Sequence, residues 1–344
     1  MKHIIMLMLL WVWAFTAQGQ QHTFYGSINL GLEYRDLKDN DLMDDHMQLQ
    51  DAYSAIGITG EQELSPGLVG FYNYKLSIDV TSGNLYESPQ TTWGGPNQDE
   101  SVAYVGVKGD FGQASFGYQW NAYYNAISWT TDRFSSGWTG FDTYGSFQIP
   151  ELMVYQSPDF SGLTLVLNLQ SGLNSETGKS QDRVIAAASY RLGEFTLHGA
   201  YDNLGAGDTA LMGMAAEYSK DGMRLAMKHE INKDGLGADD ASLTTLHASF
   251  TSGSNTYKAH FTTGNYPSYL PVDDASGEQE ASEIAFGVDH VINEKVYVFA
   301  EFHMSDEYCA YDVTEGNGNG GYDAVAGNEI YGCQVISVGT HYSF

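Results

Sequence analysis

TFYGSINLGLEY, running from Thr23 to Tyr34, decides the fold. Phe24, Gly26, Ile28, Leu30, Leu32 and Tyr34 fall on one side, and Tyr25, Ser27, Asn29, Gly31 and Glu33 on the other. That is a period of two, the signature of a β-strand with one apolar and one wetted face. The same alternation recurs where Leu163, Leu165, Leu167 and Leu169 are interleaved with Thr164, Val166, Asn168 and Gln170. It recurs again where Val296, Val298, Ala300 and Phe302 are interleaved with Tyr297, Phe299, Glu301 and His303.

Outward from these strands, short and long connections alternate. The short ones are Glu63 to Gly67, Gly109 to Gly112, Pro158 to Gly162, Leu192 to Glu194, Lys220 to Gly222, Ser252 to Asn255 and Asn293-Glu294. The long ones begin near Asp36, Ser82, Asn121, Gly172, Asp202, Lys233, Asn265 and Ser305. Seven short and eight long connections separate sixteen strands. An even number of strands with tight turns at one end and long loops at the other predicts an all-β fold. It is a 16-stranded antiparallel transmembrane β-barrel with long extracellular loops and short periplasmic turns. Strands of about 9 to 11 residues cross a bilayer when tilted. A soluble sandwich or propeller also alternates, but it explains the asymmetry of the connections poorly.

Composition agrees. The 344 residues include 39 Gly, 24 Tyr and 16 Phe, and only 15 Lys plus Arg against 43 Asp plus Glu. A net charge of -28 argues against nucleic acid and against docking on an anionic bilayer surface, both of which need clustered basic residues. The carboxylates are expected in solvated loops. At the N-terminus, Lys2 and His3 precede an apolar run from Ile4 to Phe15 and the small-residue stretch Ala17-Gln18-Gly19. This reads as a secretory signal over residues 1–19, leaving a barrel domain over 20–344.

Asn121 to Pro150 is the longest irregular stretch between two strand-like segments, Gln113 to Trp120 and Glu151 to Ser157. Loops of that length inside a compact fold usually carry function, and this third long loop is expected to fold into the lumen as the constriction. Its charges are Asp132, Arg133 and Asp142, with Glu151 at the exit. Acidic groups at a narrow point favour cations. The competing reading pairs Asp132 with Arg133, or uses them to cap a short helix, without any effect on passing ions. Tyr123, Tyr124, Trp129, Phe134, Trp138, Phe141, Tyr144 and Phe147 either pack the loop on the wall or offer flat faces to sugars.

Cys309 and Cys333 flank the last long loop, and an even count in a secreted chain points to a bridge, with two free thiols as the alternative. Closing it would contribute roughly 3 to 4 kcal/mol on the chain-entropy account. No metal or cofactor is implied. Gly318 to Val325 is a single imperfect copy of a calcium nonapeptide, and the acidic cluster Asp36, Asp39, Asp41, Asp44 and Asp45 lacks EF-hand spacing. That cluster fits a solvated loop, or one bridged by divalent ions to lipopolysaccharide phosphates. No hydrolase motif is present, and His198, His229, His260 and His303 are scattered over different strands. A barrel hydrolase and an adhesin or anchor remain as alternatives to a channel.

Tyr25-Gly-Ser27, Tyr104 to Gly112, Tyr155 to Gly162, Val291 to Tyr297 and Val338 to Phe344 resemble the general diffusion porins of Gram-negative outer membranes. The resemblance implies a homotrimer in outer-membrane lipid and lipopolysaccharide that passes small hydrophilic solutes, with an inward-folded third loop. It also implies that Phe344, with Tyr342, is read by the barrel-assembly machinery. Ser82 to Glu100, with Trp93-Gly-Gly-Pro96, would latch a neighbouring subunit or serve as an ordinary surface loop. The chain departs from the family at the basic wall opposite the loop, where Ser101 or Val102, Tyr118 and Val154 stand in place of arginines. Lys75, on a face with Asn73, Ser77 and Asp79, and Arg35 are the cations left on the lumen wall. The expectation is therefore a cation-preferring channel without enzymatic activity.

Overall fold

The computed structural model describes residues 21–37, 45–85, 101–136, 143–171, 182–205, 209–233, 240–266, 279–305, 314–316, 322–324 and 333–344. The signal segment 1–19, the latch residues Trp93 to Pro96, and Trp138, Asp142 and Cys309 lie outside the described residues.

Sixteen strands form the wall. They are β1 (Gln21–Leu37), β2 (His46–Asp51 continued by Ala55–Ser65), β3 (Leu68–Asp79), β4 (Val102–Gly109), β5 (Gly112–Trp120) and β6 (Gln148–Gln156). Then come β7 (Leu163–Gln170), β8 (Arg183–Leu192), β9 (Phe195–Asp202), β10 (Ala210–Lys220) and β11 (Met223–Lys233). The last five are β12 (Ala241–Ser252), β13 (Asn255–Tyr266), β14 (Gln279–Asn293), β15 (Val296–Ser305) and β16 (Cys333–Ser343). Each strand pairs antiparallel with its neighbours, and β16 returns to β1 from Ser27 opposite Ser343 to Leu37 opposite Cys333, closing the barrel. Closure removes the open edges that a flat sheet of this size would expose. Asn84–Leu85 adds a short hairpin on the end of β3, and Thr314–Gly316 pairs with Tyr322–Ala324 in the last long loop.

The tight turns fall where the sequence places them, and one glycine shows why. Gly112 has φ +96, and a Cβ there would come within 2.1 Å of the Gln156 carbonyl oxygen. Strand β2 is broken at Ala52–Ser54, where Tyr53 takes φ +71. The break is stitched by side chains. Ser54 Oγ accepts the Asn29 N–H at 2.9 Å, and Asp51 accepts the N–H groups of Ser54 and Val80, each at 3.0 Å.

The apolar faces point outward. Phe24 is 78% exposed, and Leu32, Val105, Phe116, Leu165, Leu167, Met214 and Phe286 are also exposed. Charged residues are instead buried inside: Glu33, Arg35, Lys228, Glu230, Lys258 and Glu301. This inversion of a soluble protein is what a lipid-facing barrel requires. Aromatics crowd the turn end, where Phe111, Phe160, Tyr190, Phe195, Phe250, Tyr257, Tyr342 and Phe344 form a belt suited to the headgroup layer. The C-terminal residue is held in register, since Phe344 exchanges backbone hydrogen bonds with Gly26 at 3.0 and 3.2 Å.

Candidate functional site: the third loop and the wall around it

The loop leaves β5 through a short helix, α1 (Ala122–Ala126), and a 3-10 turn at Ser128–Thr130. Asn121 organises its root. The side-chain oxygen caps α1 by accepting the Tyr124 N–H at 2.9 Å, the commonest way to satisfy a free helix N–H. Its Nδ2 donates to the carbonyls of Ser146 and Phe147 at 2.6 and 2.8 Å, which ties the outgoing and returning arms together. The Ala122 N–H donates to Asn168 Oδ1 on β7 at 2.6 Å.

From there the described part of the loop follows the inner wall. Helix α1 packs on β7, β8 and β9, and the 3-10 turn packs on β10 and β11. Tyr123, Ala126, Ile127 and Tyr144 form an apolar cluster with Ile149 and Leu152 of β6, Ile185 of β8, Leu211 of β10 and Leu243 of β12. Gly213 of β10 makes room for it, since a Cβ there would fall 2.6 Å from Tyr123 Oη and 2.8 Å from Ile127 Cγ1.

Polar staples complete the seat, and carboxylates carry most of them. Glu301 of β15 accepts the N–H groups of Ser135 and Ser136 at 2.7 and 2.8 Å, one on each oxygen. Lys258 of β13 donates to Glu301 and to Asp289 of β14, both at 2.8 Å. Asn29 of β1 donates to the Ser135 carbonyl at 2.8 Å, so the tip is held from two sides. On the returning arm, Glu230 of β11 accepts from Thr143 Oγ1 and from Lys228, each at 2.7 Å. Arg224 donates to the Thr130 carbonyl at 2.6 Å while paired with Glu217. Arg183 donates to Ser146 Oγ at 3.1 Å while paired with Asp202. Hydrogen bonds to ionised acceptors inside a narrow lumen are stronger than neutral ones, so the described part of the loop is fixed in place.

Among the residues expected at the constriction, Asp132 accepts a hydrogen bond from Tyr124 Oη at 2.6 Å. The Arg133 guanidinium lies 4.3 Å from the Trp129 ring, in a cation–π stack. Both side chains are half-buried on the loop. Glu151 is placed differently from the expectation. Gly117 pairs with Leu152 and Gln119 with Ile149, so β6 carries an extra residue at Pro150–Glu151, and Glu151 takes φ +56. The bulge lets Ile149 and Leu152 both point into the loop cluster and turns Glu151 away from it.

Tyr118 also departs from the lumen-wall expectation. It lies opposite Ala103, between Gly117 and the buried Gln119, on the side shared by exposed Phe116 and Val105. Arg35 is buried at the inner wall, ion-paired with Glu33 and donating to Gln50 Oε1 at 3.2 Å. Lys75 is half-buried on β3 between Asn73 and Ser77, opposite Val102. Of the loop aromatics, Tyr123 is packed away. Tyr124 stacks on Trp120 at 4.4 Å and approaches Phe147 and Trp129 at 5.3 and 6.2 Å. Trp129 and Phe147 keep exposed faces.

Glu230, Lys258, Arg224 and Glu301 were not singled out as site residues from the sequence, although lumen parity is legible in Lys228-x-Glu230 and Glu301-x-His303. Pro150 was a signal for the bulge, since proline inside a strand is confined to edges and bulges.

The family described as Gram-negative porin matches residues 6–307. A monosaccharide porin of Halomonas sp. is 24% identical over 340 residues, covering 85% of this chain and 89% of the relative. Outer membrane porin C of Enterobacter cloacae is 28% identical over 204 residues, about half of each chain. Among solved structures, an anion-selective porin from Comamonas acidovorans superposes with a TM-score of 0.70 at 16% identity, covering 95% of this chain and all of that one. OmpT of Vibrio cholerae in its trimer form superposes with a TM-score of 0.65 at 14% identity, again over 95% of this chain.

Proposed function

Because the chain belongs to the Gram-negative porin family and forms an outer-membrane channel for passive diffusion, we propose that its channel carries small hydrophilic solutes with a preference for cations. One observation carries the preference: five basic residues of the inner wall are matched by carboxylates. Arg35 pairs with Glu33, Arg183 with Asp202, Arg224 with Glu217, Lys228 with Glu230, and Lys258 with Asp289 and Glu301. Fixed positive charge is thereby cancelled locally, while the chain as a whole carries a net charge of -28. In a narrow, poorly screened passage the uncancelled charge sets selectivity. Asp132 and Asp142 are assigned to that role on the loop, with Arg133 as the opposing cation and Lys75 on the facing wall.

The test is the reversal potential of the purified protein in a planar bilayer under a potassium chloride gradient. A cation-selective offset is expected, reduced in the Asp132→Asn, Asp142→Asn double variant. An anion-selective offset would overturn the reading, and an unchanged offset in the variant would remove the two aspartates from it.

A second reading rests on the exposed faces of Trp129 and Phe147 beside Tyr124. Flat aromatic surface of that kind suits the CH faces of pyranose rings, and a relative in Halomonas is named a monosaccharide porin. Block of single-channel current by added sugars would support it.

The rest of the assembly is proposed on the same footing. Residues 1–19 are removed on export. Three copies associate in outer-membrane lipid and lipopolysaccharide, as the trimer form of the Vibrio cholerae protein illustrates for that protein. Tyr342 and Phe344 present the last strand to the barrel-assembly machinery. A bridge joins Cys309 to Cys333. Cys333 is fully buried at the start of β16, and among the described residues no cysteine is free. Alkylation before and after reduction, read by intact mass, is expected to label two thiols only after reduction. Labelling without reductant would overturn the bridge.

A further inference from the structure

Phe134, at the tip of the third loop, rests on imidazoles. Its ring packs edge to face with His247 of β12 at 6.0 Å and His260 of β13 at 5.9 Å, and these two rings are 6.2 Å apart. Strand register extends the row, setting His247 opposite His260, His260 opposite Ala285, and Ala285 opposite His303 of β15. All three histidines are buried. Neither ring nitrogen of His247 and not Nδ1 of His260 has a hydrogen-bond partner among the described residues. Glu283 of β14 is the carboxylate against the row, 3.1 Å from His303 Nε2 and 3.8 Å from His260 Nε2.

The other charged groups around the row come from every neighbouring element. Strand β11 brings Arg224, Lys228 and Glu230, and β10 brings Glu217, with His198 of β9 3.2 Å from it. Strand β13 brings Lys258, whose Nζ is 5.0 Å from the Phe134 ring, and Asp289 of β14 and Glu301 of β15 hold it. Tyr297 of β15 touches Ser135, and the loop contributes Asp132 and Arg133. Glu217, Glu230, Asp289 and Glu301 thus already hold cations.

We propose that His247, His260 and His303 form a proton-responsive selectivity site, in which protonation makes the wall behind the third loop cationic, unseats Phe134 and weakens the channel's cation preference. Imidazole is the side chain that first gains a charge as water is acidified from neutral pH. Each proton taken up adds a cation beside Lys258, Arg224 and Arg133, with Glu283 the carboxylate nearest His260 and His303. Like charges crowded in a confined lumen repel strongly, and their field reaches the passing ion. The inference rests on the loop forming the constriction.

The experiment follows the reversal potential across a fixed potassium chloride gradient while the pH is lowered from about 7 to about 2.5. The unaltered protein is compared with His247→Gln, His260→Gln and the double variant, each shown to form a heat-modifiable barrel. The cation-to-anion permeability ratio is expected to fall several-fold in the unaltered channel. Each single variant should lose part of that response and the double variant most of it, with the neutral-pH ratio unchanged. A double variant that follows the unaltered protein would overturn the proposal and transfer the response to carboxylates such as Asp132 and Glu283. A ratio independent of pH in the unaltered protein would overturn it as well. Because the readout is a change from the neutral value, it is separable from the sign of selectivity at neutral pH. Should the double variant fail to fold, the single variants decide by the same criterion.

Discussion

At the residue scale, Glu301 is the most consequential single side chain in the lumen. It receives two backbone N–H groups of the loop tip and the Lys258 ammonium, three donors on one carboxylate. Glu301→Gln keeps the shape but replaces one acceptor oxygen by a donor and removes the charge opposite Lys258. Leaving such buried groups unmatched costs about 1 to 3 kcal/mol, charged ones more. The expected result is a folded barrel with a lowered thermal transition and a noisier, larger single-channel current. Quiet current at the original step size would show that the tip does not depend on Glu301. This residue was visible in the sequence only as a lumen-parity carboxylate. Its partner Ser135 lies 166 positions away, and no local pattern encodes a contact across that distance.

At the element scale, the strands were legible because a period of two survives in every one of them that has a wet and a lipid face. The burial of Asn168 between exposed Leu167 and Leu169, and of Glu301 beside exposed Ala300, follows the pattern read from Thr23 to Tyr34. What alternation cannot count is an added residue. The bulge at Pro150–Glu151 shifts parity within β6, so Glu151 leaves the site to which its position in the sequence assigned it. The histidines illustrate the converse. His260 and His303 are distant in sequence and on different strands, yet register places them in one row. Helix α1 depends on a gap in the wall at Gly213. Gly213→Val should push Tyr123 and Ile127 off the wall, with overpacking of this kind costing typically about 1 to 3 kcal/mol. The expected readout is a changed conductance and faster proteolysis within the loop, while the barrel still forms. Unaltered conductance and protease resistance would mean that α1 is held by its polar anchors alone.

At the scale of the whole molecule, two sources of negative potential are distinguishable by salt. Exposed carboxylates such as Asp45, Asp182 and Asp240 at the loop ends are screened over about 3 Å at 1 M salt, whereas charges within a constriction are screened much less. If the loop aspartates dominate, the permeability ratio should persist as potassium chloride is raised at a fixed gradient. If the acidic rim dominates, it should decay toward that of bulk ions. The architecture was predicted as a whole from connection lengths, since tight turns and long loops in strict alternation leave few alternatives. The loop's path was not, because it is decided by side chains contributed from β1 and from β6 through β15, which only the closed wall assembles.

That closed wall also puts a clock on the molecule. The strand nearest the N-terminus and the strand ending at Phe344 are hydrogen-bonded along eleven consecutive residue pairs, from Ser27 with Ser343 to Leu37 with Cys333. One edge of the first strand therefore waits for the last strand, its backbone groups there hydrogen-bonded to water alone. In hydrocarbon an unmatched strand is costly enough that a partial sheet has no stable place there. Completion of the polypeptide is thus itself the event that permits insertion, and a chain cut short anywhere before β16 would be left in the aqueous compartment as a substrate for proteases and holdases.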